Sequence, residues 1–506
     1  MITPICSTES DATLAERVRA ISESEGWPTA AALIEREWDA HVTRDPEILL
    51  DAIKVLPAEA LIEHDGLLVA VDYLRHLVSG GGPGRFRVST TRGADRGDLA
   101  NRLIVLTGRT AELRTAGSVL AAADAVREAR ELLADATDAQ RTSARRTLPH
   151  VQYQWGVTLD LADDDTAAAQ YDESYQVAIV TGQPAIARRA AGALAWLYAS
   201  QGRTRAASLW IDRANATHEP DPRNDTPLRL AEAMRATDVL HPDPLHGLPV
   251  DADPGEYWLA ALWTRAHSAR TRASALLVEA ALETELARHD ERLVAVGANR
   301  RYLIAARMLL AAAHRRPFTP DNASGPYEEI FAAVTHYRSG DRRLLRESLR
   351  TLTSPEQHPR ILAVALLLAA ATDLDAESRE AAADGFRQAH ALIEHEELLL
   401  SYAVLTPAHL RELFALAGLE PAPRVHTRYF TADDDGEATR LARLSKRERQ
   451  VLTLLASEHS MTEIADTLFV SLNTVKTTVR RLYAKLGVHD RRRATDIAHR
   501  AGLRTG

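Results

Sequence analysis

Apolar residues recur at helical spacing along almost the whole chain, whereas the alternation typical of β-strands is scarce. In the segment 191–216, apolar and small residues line one helix face, stop at Gly202 and then resume with similar spacing. These residues are Leu194, Ala195 and Tyr198 before the glycine, and Ala207, Ile211 and Ala214 after it. The pattern predicts two antiparallel helices joined by a short turn.

A weaker copy of this helix-pair pattern lies about 36 to 39 residues earlier, close to the roughly 34-residue period of tetratricopeptide repeats. Its residues are Trp155, Gly156 and Leu159, then a break at 163–165, then Tyr171, Tyr175 and Ala178. The pair resembles a tetratricopeptide unit, in which small residues let two helices approach closely. We therefore predict an all-α fold with a helical-repeat solenoid, a generic helical bundle being the alternative.

Residues that end helices divide the chain. Pro, Gly, Asp and Asn cluster in four segments, which are 79–97, 218–227, 241–255 and 315–326. A further segment at 420–440 contains proline, turns acidic and shows no helical face until its end. The predicted organisation is a helical-repeat body at 1–419, with a possible subdivision near 218–255, a linker at 420–440 and a small domain at 441–506.

Composition narrows the class of protein. Hydrophobic residues make up 45% of the chain and charged residues 26%, as in ordinary globular proteins. The single cysteine, Cys6, excludes an internal disulfide and a thiolate metal cluster, which favours a reducing compartment. The longest apolar run, 361–371, is far shorter than the roughly 20 residues that a membrane span needs. We expect a soluble, cytoplasmic protein without a membrane partner.

Charge is distributed unevenly between body and tail. Residues 440–506 contain 14 Lys and Arg against 6 Asp and Glu, a surplus of eight positive charges within a chain of net charge −9. The remainder therefore carries −17. A basic module at the end of an acidic body is the asymmetry expected when that end binds a polyanion.

The basic tail contains regularly placed residues that start and end helices. Ser445 with Glu448, and Ser460 with Glu463, have the spacing of capping boxes; Ser471 is placed to cap a third helix that ends at Gly487. The predicted core of the second and third helices consists of Ile464, Ala465, Leu468, Val475, Val479, Leu482 and Leu486. Because small Ala465 and buried Val475 flank a short turn, these helices fit a helix-turn-helix.

The outward face of the third helix then carries Asn473, Lys476, Thr477, Arg480 and Ala484, with Arg481 beside them. Lys and Arg side chains can pair with guanine acceptors in the major groove, and Thr can contact a thymine methyl or a phosphate. A solvated basic helix in a small bundle and a peptide-binding module remain alternatives, since a run of basic residues alone does not define a DNA interface.

The segment from Leu444 to Val488 resembles the LuxR-type (FixJ-like) DNA-binding domain. The matching elements are L-S-K-R-E, E-I-A, L-F-V-S, N-T-V-K-T and K-L-G-V, all in one register. The resemblance implies double-stranded DNA as partner and binding as a homodimer, with the third helix in the major groove. The implied base-facing residues are Lys476, Thr477 and Arg480. The residues expected near phosphates are Ser471, Asn473, Thr474, Arg481 and Lys485, and those expected at the dimer contact are Ala494, Ile497 and Ala498.

This sequence departs from the usual pattern of the domain at a few positions. Met461 and Thr462 replace a frequent Asn-Lys pair, Leu472 replaces a frequent acidic residue, and Thr478 stands where His is common. None of these changes touches the predicted core. They are expected to alter affinity or site preference.

No catalytic, metal-binding or cofactor site is predicted. The glycine cluster at 80–84 lacks the Gly-Lys-Ser/Thr of a phosphate-binding loop, so we do not expect the ATPase of large LuxR-type activators, whose sensor arms the body loosely resembles. His241 and His246 lie in a proline-rich loop without thiolates. The chain is predicted to be a transcription regulator that receives a small-molecule or protein signal. The alternative is a helical-repeat adaptor with secondary DNA contact.

Overall fold

The computed structural model describes residues 12–42, 44–78, 86–89, 97–217, 220, 225–248, 254–269, 271–314, 325–425, 444–457, 459–488 and 490–500. Within these ranges the backbone forms helices and turns but no strand. The predicted all-α fold class is confirmed. Most of the predicted breaks at 79–97, 218–227 and 315–326 lies outside the described residues, whereas most of the break at 241–255 is described. Residues 426–440 of the predicted linker also lie outside them.

The chain divides into two compact units, one comprising 1–191 with 213–225 and the other 192–212 with 226–506. The helices up to residue 217 are α1 Leu14–Glu25, α2 Trp27–His41, α3 Pro46–Lys54, α4 Ala58–Glu63, α5 Asp65–Val78, α6 Leu99–Thr115, α7 Val119–Ala134, α8 Asp138–Ala144, α9 Leu148–Leu161, α10 Ala167–Val180, α11 Pro184–Gln201 and α12 Thr204–Thr217. Residues of α11 and α12 belong to both units.

Helix pairs with a regular offset are present where the sequence predicts them. Helices α9 and α11 begin at Leu148 and Pro184, 36 residues apart, and α10 and α12 begin at Ala167 and Thr204, 37 residues apart. In the first pair a Cβ on Gly156 would lie 2.5 Å from the Tyr171 ring. The missing side chain therefore sets how closely α9 and α10 pack, as in a helical repeat.

The second unit continues as successive helices. They are α13 Thr226–Asp238, α14 Trp258–Ser268, α15 Arg272–Leu286, α16 Gly297–Ala313, α17 Pro326–Ser339, α18 Arg342–Leu352, α19 Pro359–Asp375, α20 Arg379–Glu396 and α21 Pro407–Ala417. Single 3₁₀ turns cover Gly255–Tyr257, Glu291–Val294 and Leu399–Val404. The apolar run at 361–371 forms the buried middle of α19. None of the described helices is long and apolar enough to cross a membrane.

A buried ion pair fixes α19 within this unit. The Arg360 guanidinium donates to both carboxylate oxygens of Asp238, at 2.8 and 2.7 Å, and to the backbone oxygens of Ala199 and Ser200. Both charged side chains are less than a tenth exposed. The guanidinium therefore links α19 to α13 and to the end of α11 in a site from which water is largely excluded.

Two residues just after the predicted boundary at 420 contact the body. Val425 is fully buried in the apolar core formed by α17 to α21, and the Arg424 guanidinium donates to the backbone oxygen of Val239. The linker at 420–440 stays a prediction, and these two contacts lie within its described part, 420–425.

Candidate nucleic-acid interface

Four short helices follow Leu444, at α22 Lys446–Ala456, α23 Met461–Thr467, α24 Leu472–Leu486 and α25 Arg491–Arg500. Both predicted capping boxes are formed, because the serine hydroxyl and the glutamate carboxylate of each accept backbone N–H groups at the start of α22 and α23. Ser471 caps α24 and Gly487 ends it in the left-handed conformation. These caps satisfy helix-end groups that the short loops cannot.

The structure places most of the residues predicted for the core of this module in its interior. Six of the seven side chains are buried, namely Ile464, Ala465, Val475, Val479, Leu482 and Leu486. Leu468, the seventh, is half-buried and packs against the others. Because this core holds one face of α24, the opposite face is oriented outward.

The turn between α23 and α24 contains a feature that the sequence analysis did not single out. Phe469 has φ +51° and is 94% exposed, although a bulky side chain is disfavoured in the left-handed region and an exposed phenyl ring buries no apolar surface. The turn is closed by the Val470 N–H, which donates to the Ala465 oxygen at 3.0 Å. The sequence Phe469-Val470-Ser471 does not indicate that Phe469 has a positive φ.

All five residues predicted on the outer face of α24 are exposed, as is Arg481 beside them. The five are Asn473, Lys476, Thr477, Arg480 and Ala484. No part of the chain that the structure describes covers this face. The Thr477 hydroxyl donates to the Asn473 backbone oxygen at 2.9 Å, which leaves its methyl group and its oxygen lone pairs for outside contact.

The basic residues of this module fall into two groups. Some of their cations are used inside the domain: Arg447 donates to the Leu468 oxygen, and Arg491 donates to the oxygens of Leu455 and His459. In contrast, Lys476, Arg480 and Arg481 have no ion pair or side-chain hydrogen bond within the described residues. Three basic side chains without an internal partner in the described residues therefore lie together on or beside the outer face of α24.

Lys485 belongs to the first group. Its ammonium lies 2.6 Å from the Glu448 carboxylate, which is only 7% exposed and also caps α22. Burial raises the pKa of Glu448, but hydrogen bonds from Lys485 and the Ser445 N–H outweigh it and leave this pKa below its ordinary value. The phosphate contact of Lys485 stays a prediction. In this structure the Glu448 carboxylate occupies the Lys485 ammonium, so a DNA phosphate would compete with Glu448 for it.

Ser471 and Thr474, also predicted near phosphates, are exposed at the start of α24. The Ser471 hydroxyl accepts the Thr474 N–H at 3.1 Å and lies 2.8 Å from the Thr474 hydroxyl. The two hydroxyls thus sit together beside the helix N-terminus, where the backbone dipole favours an anion.

The three residues predicted at a dimer contact occupy a different environment. Ala494 and Ala498 are fully buried and Ile497 is 6% exposed, all within the core that α25 shares with α22. They stabilise the folded domain itself. The resemblance indicated a helix for the dimer contact but not which face of that helix is intermolecular. A dimer contact through α25 would have to use residues outside this core, such as half-exposed Thr495.

Two short helices that cross at a capped turn, with an apolar core on one side and a cationic face on the other, define a helix-turn-helix domain. Residues 442–498 match the family of bacterial regulatory proteins, luxR family. The C-terminal module is therefore a LuxR-family helix-turn-helix domain, as its sequence indicated.

Relatives of known description match this chain over about the length of this domain. The probable transcriptional regulatory protein NarL of Mycobacterium tuberculosis is 52% identical over 60 residues, which is 12% of this chain and 28% of NarL. LiaR of Bacillus subtilis is 42% identical over 60 residues, with the same coverage of each chain. The regulator MalT of Yersinia pestis is 45% identical over 64 residues, 13% of this chain and 7% of MalT. The chain thus spans less than a third of these relatives, and no solved structure matches it.

The two groups of basic residues lead to different expected effects. Arg481→Ala should weaken binding to all DNA sequences and reduce the slope of log affinity against log salt by about one unit, because it removes a free cation. Lys485→Ala should change this slope less and instead lower the stability of the domain by about 1 kcal/mol, because Glu448 loses its ammonium partner. Gel-shift titrations across a salt series and thermal denaturation measure the two effects. A full unit of slope lost in Lys485→Ala would show that DNA displaces Glu448.

Proposed function

We propose that this protein is a sequence-specific transcription regulator whose α24 enters the major groove of operator DNA. The observation that carries the proposal is the outer face of α24. Three cations that have no partner among the described residues lie there, on a helix whose opposite face packs in the core. Lys476, Thr477 and Arg480 would contact bases, and Asn473, Arg481 and the hydroxyls of Ser471 and Thr474 would contact phosphates.

The helical-repeat body would receive the signal. Its net charge of −17 disfavours direct contact with DNA, and its paired helices are of the kind that bind a ligand or a protein. We further propose that two copies bind an operator with two half-sites, since such domains read DNA through paired half-sites.

Selection from a random DNA pool by the full chain tests this function. Enrichment of an inverted repeat is the expected result, and its half-site spacing would report the dimer geometry. If the selected pool stays random while a protein partner is retained at physiological salt, the regulator proposal is wrong and the adaptor alternative is favoured.

Phe469 would add an apolar contact beside the start of α24. Phe469→Gly is expected to keep or raise the melting temperature, because glycine removes a left-handed backbone cost of about 1 kcal/mol. The same change should lower affinity for the selected operator, since the exposed ring would pack on the sugar-phosphate backbone. Thermal denaturation and gel shift measure both effects. Phe469→Asn is the matched variant, because asparagine also tolerates this backbone conformation. If both variants bind the operator with wild-type affinity, the Phe469 ring does not contribute to the interface.

A further inference from the structure

A cleft in the second unit has the size and polarity of a small-molecule site. It encloses about 350 Å³ between the ends of α17 and α19, the 3₁₀ turn Leu399–Val404 and the start of α21. Five of its lining residues have charged or polar side chains: Tyr337, Arg338, Asp375, Thr406 and His409. Sites for metabolites are commonly of this volume and contain a few fixed polar groups.

One wall of the cleft is a connected chain of hydrogen bonds. The Tyr337 hydroxyl lies 2.8 Å from Nδ1 of His409 and accepts the Thr406 N–H at 3.1 Å. Nε2 of His409 lies 3.3 Å from the Asp375 carboxylate. Burial raises the pKa of Tyr337, so its hydroxyl keeps its proton at neutral pH. Three helices and a loop therefore hold these polar groups in fixed positions.

The charges of the cleft do not balance. Asp375 has two partners, since Nε2 of His409 lies near one carboxylate oxygen and the Arg342 guanidinium, 3.5 Å away, forms an ion pair with the other. Arg338 has no ion pair or hydrogen bond among the described residues. Its side chain is exposed to solvent at the rim, yet desolvation by its surroundings lowers its pKa. The charge left without a partner in this cleft is positive.

We propose that the cleft binds a small organic molecule through a carboxylate or phosphate group, which the Arg338 guanidinium receives. A planar guanidinium presents paired N–H donors that match either oxyanion. The Tyr337–His409 pair supplies the polar wall against which the rest of the molecule lies. The site stands on its own geometry; its role as the signal input of a regulator rests on the proposed function.

Calorimetric titration of the full chain with inorganic phosphate, succinate and glucose 6-phosphate tests the site, with sodium chloride at matched ionic strength as the reference. Saturable binding of at least one probe is expected. Arg338→Gln should weaken that binding about 10- to 100-fold, because it removes a charge-assisted hydrogen-bonded pair. Tyr337→Phe should weaken it by a smaller factor.

Arg346→Gln is the matched control, since Arg346 is an exposed arginine on the neighbouring α18 and does not line the cleft. It should bind the probe as the wild type does. Equal losses in Arg338→Gln and Arg346→Gln, or no saturable binding of any probe, would overturn the proposed site. Operator binding is measured on the same preparations without probe: a wild type that selects DNA but binds no anion refutes the cleft alone, whereas anion binding without DNA selection refutes the regulator function alone.

Discussion

Arg480→Ala and Lys476→Ala are each expected to lose about 1–3 kcal/mol of discrimination between the selected operator and the same site with one base pair changed. Both side chains are exposed on the outer face of α24 and free of internal partners, so nothing within the described chain must be broken before they reach a base edge. Competitive gel-shift titration of wild type and each variant against a panel of single-base operator changes measures this loss.

The control for these variants is Arg492→Ala, which removes the same charge from an exposed position on α25. It is expected to leave base discrimination intact, because an arginine outside the groove cannot distinguish base pairs. Circular dichroism and melting temperature should match the wild type in all three variants, since none of these side chains is buried. Unchanged discrimination in both α24 variants would contradict the assigned face.

Arg360→Ala is expected to destabilise the second unit by about 3–5 kcal/mol. The substitution leaves the Asp238 carboxylate buried without its cation, with His267, 3.2 Å away, as its remaining charged or ionisable neighbour. It also removes one of the hydrogen bonds accepted by each of the backbone oxygens of Ala199 and Ser200. The midpoint of a urea unfolding curve, followed by tryptophan fluorescence, measures the change, because Trp196 and Trp263 are buried in this unit.

Two comparisons make the Arg360 prediction specific. Arg346→Ala, at an exposed arginine of the same unit, should change stability by less than about 0.5 kcal/mol. The double variant Arg360→Met with Asp238→Leu should lose less stability than Arg360→Ala, because no charge is then left buried. A double variant that is as unstable as the single one would show that packing, rather than the ion pair, sets the stability here.

The sequence predicts the helix-turn-helix domain in detail because its signals are local. A capping box needs residues three apart, a buried helical stripe needs residues three and four apart, and Gly487 marks the end of its own helix. The inward positions Val475, Val479 and Leu482 also determine which positions of α24 point outward. The outer face could therefore be assigned before any tertiary contact was known.

Features that depend on distant contacts could not be predicted in this way. Lys485 meets Glu448 across 37 residues, and Arg360 meets Asp238 across 122. No spacing rule connects such positions. In the body, alanine and leucine recur in nearly every helix, so the pattern predicts helices and their breaks but not which helix packs on which. The cleft at Tyr337 and His409, 72 residues apart, was missed for the same reason.

Phe469 illustrates a different limit. Local sequence placed a turn between α23 and α24, and the turn is there. Which residue would adopt the left-handed conformation was hidden, because glycine and asparagine are the usual markers of that conformation and neither is present.

Because of the contacts of Glu448, the module should tolerate substitutions at position 485 better than at position 448. The Glu448 carboxylate caps the N-terminus of α22 and forms an ion pair with Lys485 near the C-terminus of α24, the helix that carries the cationic face. A substitution at 448 removes both the helix cap and the ion pair, whereas a substitution at 485 removes only the ion pair. Random mutagenesis scored by operator binding should therefore recover replacements at 485 more often than at 448, even though neither side chain needs to touch a base.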